Sequence, residues 1–299
     1  MADFISNKFR KRYCWPKDNN IRSLFRFSSF DPSTIVYHKN LFIDGLLYHS
    51  LPSSFNDPFE CRPVIQWPRT DREEAALFED VVSLLICQGL NIEAATELAV
   101  QNKLSVAVRN EIENVIFSEF QSFRICCFTK RKDNLLFWSH YANSHTGYCV
   151  EYDTENSILA QAYKVRYGKK FPTLEFPLFN DIRKLSVYLK QQSLGNNVES
   201  SQLKLEMKIV EPVLNKSQEW RYEEEYRSVF KPGAPMQLRS NNESIVLTGN
   251  EIKHVYFGCN MPEKNKQQII SLIEEGPFSP VLWQARMKVG EFALTFEKI

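Results

Sequence analysis

The chain has 299 residues, 43% of them hydrophobic and 13% aromatic, enough apolar material for one large or two ordinary domains. With 37 Lys and Arg against 36 Asp and Glu, the formal net charge of +1 excludes a global positive field for nucleic acid or anionic membrane and leaves only local patches. The opening MADFISNKFRKRYCWPKDNN has basic residues but no apolar signal region, and no apolar run nears the roughly 18 residues of a membrane span, so a soluble, cytoplasmic protein is expected. Seven cysteines without CxxC spacing fit reduced thiols packed as small hydrophobes.

Residues 21–30, IRSLFRFSSF, read as a short strand entering a loop at Asp31-Pro32. A helical turn or two follows up to Gly45, then a strand at 46–50. Residues 71–123 change character: helix formers dominate, with apolar residues at three- and four-residue spacing, which predicts two or three amphipathic helices broken near Gly89. A strand at 123–130 precedes a short helix at 134–142 and a strand at 147–153, with 163–167 paired to that strand. Residues 178–218 return to helix, interrupted by SLGNNVESS. EWRYEEEYRSVF, 219–230, then alternates. Trp220, Tyr222, Glu224, Tyr226, Ser228 and Phe230 share one face; Arg221, Glu223, Glu225, Arg227 and Val229 share the other, a strand period. A strand at 252–260, a helix at 262–275 with Pro in its first turn, and two strands at 282–299 complete the chain. The expected fold is α+β: a single domain, 1–299, on a mixed, mainly antiparallel sheet, with helical insertions of which 71–123 is one.

Four stretches can carry chemistry. Cys127, His140, His145 and Cys149 have a spacing that invites a zinc site, but Cys126 and Cys127 are strand neighbours pointing to opposite faces, so no metal is expected. In Trp138-Ser139-His140-Tyr141 the serine and histidine are adjacent, and adjacent residues do not face each other on a helix; the cluster suits holding a polar ligand better than a nucleophile pair. SSFNDPFE is turn chemistry, or a rigid loop presenting Asn56, Asp57 and Glu60 to a cleft. EWRYEEEYR is a solvated face with cross-strand ion pairs, or it holds Glu223 and Glu225 as an acid/base or cation-stabilising pair.

LYHSLPSSFNDPFE, CFTKRKDNLLFWSHYANSHTGYCVEYD and EWRYEEEYR, in this order and followed by IKHVYFG, resemble the bacterial domain of unknown function 2971 family over roughly residues 22–299. Phe137 stands where that family often has Met. This resemblance implies membership and no activity. The order Arg26, Ser50, Glu223-x-Glu225 further resembles the R-S-E layout of ADP-ribosyltransferases. That layout implies NAD as substrate, with Arg26 on the pyrophosphate, Ser50 bracing the nicotinamide side, Glu225 stabilising the oxocarbenium ion and Glu223 orienting the acceptor.

The expectation is therefore an intracellular bacterial effector of toxin or phage-defence type. Its cleft gathers Asn56, Asp57, His140, Tyr141, Glu223, Glu225 and Arg227, with Trp138, Trp220 and Tyr222 buried behind them. The specific activity expected is NAD-dependent ADP-ribosyl transfer or NAD hydrolysis; the expected partners are a small-molecule nucleotide and an antitoxin or regulatory protein. The alternatives are a non-catalytic nucleotide- or peptide-binding module and a metal-dependent nuclease using Asp57, Glu60, Glu223 and Glu225.

Overall fold

A computed structural model describes residues 13–101, 105–155, 157–176, 210–231, 242–248 and 251–299. The chain divides into two compact units. One takes its described residues from Asp57–Ser122 and Gly168–Ser217, the other from Arg10–Asn56, Phe123–Tyr167 and Gln218–Ile299. The strands in chain order are β1 (Ser23–Ser28), β2 (Leu46–Tyr48), β3 (Val64–Gln66), β4 (Arg124–Thr129), β5 (Tyr148–Asp153), β6 (Tyr163–Lys164), β7 (Arg166–Gly168), β8 (Thr173–Glu175), β9 (Asn215–Ser217), β10 (Glu225–Phe230), β11 (Ser244–Val246), β12 (Ile252–Phe257), β13 (Val281–Met287) and β14 (Leu294–Lys298). The helices are α1 (Ile35–Phe42), α2 (Asp71–Cys87), α3 (Ile92–Gln101), α4 (Val106–Gln121), α5 (Leu135–His140) and α6 (Glu263–Glu275). No helix among the described residues is long and apolar enough to cross a membrane.

The first unit carries α2, α3 and α4, the helices expected over 71–123, beside the parallel pair β3–β8. Local signals start each helix. Thr70 and Glu73 form a reciprocal capping box, the Asn91 side chain accepts from Ala94 N at 2.8 Å, and the Ser105 hydroxyl accepts from Val108 N at 3.3 Å. Gly89, at φ 100°, makes the left-handed break after α2.

The second unit is built on an eight-stranded sheet in the order β14-β13-β12-β5-β1-β4-β10-β6. Every neighbouring pair is antiparallel except β12 and β13, which are parallel and joined through α6. The fold is thus α+β on a mixed, mainly antiparallel sheet. Register sets its two faces. Arg26 lies opposite Val150, Phe25 opposite both Glu151 and Thr129, and Glu225 opposite Thr129. Because side chains alternate, Leu24, Arg26, Cys126, Phe128, Tyr148, Val150, Tyr152, Tyr226 and Ser228 share one face. Phe25, Phe27, Cys127, Thr129, Cys149, Glu151, Glu225 and Arg227 share the other. On the first face Leu41 and Phe42 of α1 and Ile269, Leu272 and Ile273 of α6 complete the main core; on the second, Phe137 and Trp138 of α5 pack with Phe25, Phe27 and Cys149. α6 buries apolar residues three and four apart, the stripe that drives a helix onto a sheet, whereas α1 and α5 each bury an adjacent pair.

Several expectations need correction. β6 pairs with β10, not with 147–153, because both edges of β5 are already taken by β1 and β12. The alternating segment 219–230 is two elements: a 3-10 helix over Gln218–Glu223, a left-handed Glu224 at φ 47°, and a strand that starts only at Glu225. Residues 178–209 of the helix expected over 178–218 lie outside the described residues; its end is a 3-10 turn at Glu211–Leu214 followed by β9. Pro262 caps α6 one residue ahead of the first-turn position expected for it.

Candidate functional site

The motif 134–147 is a short helix strapped to the sheet. The side chain of Asn134 caps α5 by accepting from Leu136 N at 3.0 Å, and its amide donates to the Tyr222 carbonyl at 3.1 Å. One residue thus starts the helix and ties it to the 3-10 turn. Phe137 and Trp138 face inward, Trp138 edge-on to Phe27 with ring centroids 5.0 Å apart and its indole N–H donating to the Lys132 carbonyl at 2.8 Å. Lys132 reaches the same layer: its ammonium is 4.7 Å from the Tyr256 ring centroid and donates to the Tyr256 hydroxyl, which donates to Glu151 at 2.6 Å. Burial, then Glu151, pushes the Tyr256 hydroxyl far above the usual phenol range, so it stays protonated.

After α5 the chain turns through three consecutive left-handed residues, Asn143, Ser144 and His145. For non-glycine residues that is strained, and hydrogen bonds at both ends hold it. His145 N donates to the Trp138 carbonyl, Gly147 N to Ala142, Gly258 N to Gly147 and Asn260 N to His145. A Cβ on Gly147 would lie 2.1 Å from the Ser28 carbonyl oxygen, and one on Gly258 would lie 2.1 Å from that of His145. Glycine at these positions is therefore a matter of space. The His145 ring stacks on Trp138, and burial lowers its pKa.

The expected site residues fall into three groups. In the first, Tyr141 donates its hydroxyl to Glu223 at 2.6 Å, so the 138–141 and 223–227 segments do meet. Glu225 pairs with Arg227 through two hydrogen bonds of 2.6 and 3.1 Å, and its backbone N–H donates to the Tyr167 hydroxyl at 2.8 Å. Glu223, Glu225 and Arg227 are all at least 98% buried, and Arg227 lies over the Phe55 ring at 5.5 Å. They form an interior ion-pair layer, not a lined surface. His140 is exposed, and Trp220 and Tyr222, expected buried, are half-buried; Trp138 is fully buried.

Arg26 and Ser50 form the second group. Arg26 leaves β1 on the face opposite Glu225, so the R-S-E order does not assemble into one cleft around these two residues. Ser50 exchanges main-chain hydrogen bonds with Ile125 and is half-buried. In the third group, Asn56 is exposed at the end of its unit's segment. Asp57 belongs to the other unit, where it is buried and accepts from Phe59 N at 2.9 Å in the expected turn. Glu60, in that same unit, is buried against Lys216 at 3.0 Å. Among the described residues no group of three or more His, Cys, Asp or Glu is arranged to hold a metal.

One open space among the described residues takes part of its lining from Tyr222 and Glu224, the sequence neighbours of buried Glu223. A solvent-open cavity of about 710 Å³ is lined by Arg131, Asp133, Asn134, Arg221, Tyr222 and Glu224 together with the fully exposed Phe292. Arg131 holds Asp133 in a forked pair and Lys130 holds Glu224 at 2.6 Å, so both carboxylates are compensated. Arg221 has no ion-pair partner among the described residues. Sequence reasoning missed Arg131, Asn134 and Arg221 as site residues. The one usable signal was Asp133-Asn134 ahead of an apolar run, a helix-start pattern.

Residues 137–228 match the model of a family described as "Protein of unknown function (DUF2971)". The match runs from α5 to β10, not over the 22–299 span that the motifs suggest. No curated protein and no solved structure matches the chain.

Proposed function

We propose that the second unit is a binding module for a phosphate-bearing nucleotide, held in the cavity between residues 131–136 and 221–224. The observation that carries this reading is Arg221, an exposed guanidinium without an ion-pair partner among the described residues, beside the Tyr222 ring and the Asn134 amide. A guanidinium fork suits phosphate, and an aromatic face suits a base. The buried pairs Tyr141–Glu223 and Glu225–Arg227 serve as the rigid support behind it. An NAD-consuming reaction in the R-S-E layout needs Arg26 and Glu225 in one cleft; the binding reading does not. The test is calorimetry with ATP, GTP and NAD on the wild type and on Arg221→Ala, with nicotinamide release followed on the NAD sample. Binding weakened by about 1.5–3 kcal/mol in the variant, the worth of a charged hydrogen bond, is the expected result. No heat from any of the three ligands sinks the proposal, and nicotinamide release would move the protein to the enzymes.

A further inference from the structure

Arg26 stands apart from that cavity, on the other face of the sheet. Val150 lies directly across β5 from it, and Tyr148 and Tyr152 lie on the same face two residues to either side, within reach of a long side chain. Arg26 is half-buried as a residue, and among the described residues its hydrogen bond is from Nη1 to the Tyr48 carbonyl at 3.2 Å. No carboxylate pairs with it there. The groups that set its electrostatic surroundings are thiols and phenols: Cys126, Tyr152, Tyr148 and Cys127. Burial pushes the Cys126 thiol up to about 11 and the Tyr152 hydroxyl well above the usual phenol range, so neither brings a negative charge at neutral pH.

Two further observations point the same way. Tyr152 is fully buried, and its hydroxyl has no hydrogen-bond partner among the described residues, against the strong tendency of buried polar atoms to be paired. His49, also fully buried, is held neutral mainly by burial, with Arg26 and Arg124 adding to the effect, so two guanidiniums flank it. Arg124 pairs with Glu243 at 3.1 Å, whereas Arg26 has no carboxylate partner among the described residues. A cation without a carboxylate and a hydroxyl without a hydrogen-bond partner, both among the described residues, thus share one sheet face.

We propose that Arg26 and Tyr152 form an oxyanion site that takes a phosphate group, separate from the cavity at Arg221. The remaining N–H groups of Arg26 form the fork and the Tyr152 hydroxyl donates the further hydrogen bond. The experiment is thermal unfolding of the full chain with inorganic phosphate against sodium chloride at matched ionic strength, on the wild type and the variants Arg26→Met, Tyr152→Phe and Arg221→Ala. Phosphate raises the wild-type Tm and chloride does not. Arg26→Met loses the phosphate response and, without phosphate, unfolds no lower than the wild type, because a cation without a carboxylate partner among the described residues has been removed. Tyr152→Phe folds normally and binds phosphate about tenfold more weakly, whereas Arg221→Ala keeps the response. An equal response in Arg26→Met, a chloride effect matching that of phosphate, or a response lost only in Arg221→Ala overturns the proposal. Should Arg26→Met fail to fold, unchanged phosphate affinity in a folded Tyr152→Phe overturns it as well.

Discussion

Glu225→Gln removes one charge from a pair shut away from water. Arg227 is fully buried and Glu225 is 98% buried, and the two are joined by hydrogen bonds of 2.6 and 3.1 Å within β10. Removing one partner of a buried pair costs roughly 3–5 kcal/mol, since the remaining charge keeps its desolvation penalty and loses its attraction. At about 2–4 °C per kcal/mol for a unit of this size, the Tm should fall on the order of 10 °C. Arg227→Met alone should cost a similar amount by taking from Glu225 the guanidinium that holds it at 2.6 and 3.1 Å. The double variant Glu225→Gln/Arg227→Met should lie short of the sum, with a coupling of roughly 1–3 kcal/mol, because neither charge of this pair is then left facing a lost partner. Differential scanning calorimetry of the four proteins reads the cycle directly. Additive costs, or a Glu225→Gln shift below about 1 kcal/mol, would refute the assignment of this pair to the structural interior.

Two further predictions follow from burial and space. His49 and His38 have their pKa values lowered by burial to about 3 and about 4, from an unfolded value near 6.5, so below that value the unfolded chain takes up protons that the folded chain refuses. Their contribution is therefore complete above pH 6.5 and is lost as pH falls, by about 1.4 kcal/mol per pH unit for each, so urea unfolding at pH 7 and pH 5 should differ by roughly 4 kcal/mol; equal midpoints would contradict this. Gly258→Ala places a Cβ 2.1 Å from the His145 carbonyl oxygen, backbone that cannot swing aside, and should cost more than roughly 3 kcal/mol or abolish folding; a wild-type Tm would show that the 143–147 turn does not clasp residues 258–260.

Much of the local structure is legible in the residues themselves. Period and caps locate α2, α3 and α4, and apolar runs locate β1, β4, β5 and β12, because those signals act over one or two helical turns or one strand. The sequence expected the 138–141 and 223–227 motifs in one cleft; the structure joins them through the hydrogen bond of Tyr141 to Glu223. What the tertiary structure decided is partnership and parity. β6 went to β10 because an edge was open there, a fact that resides in β1 and β12 and not in residues 163–167. A single left-handed residue, Glu224, turned an apparent strand of twelve into a 3-10 turn and a strand of six, and put Glu223 on a different element from Glu225. Arg26 and Glu225 ended on opposite faces for the same kind of reason. Side chains alternate with a period of two, so which residues share a face depends on the register of β1, β4 and β10, which inter-strand pairing sets and no one segment contains.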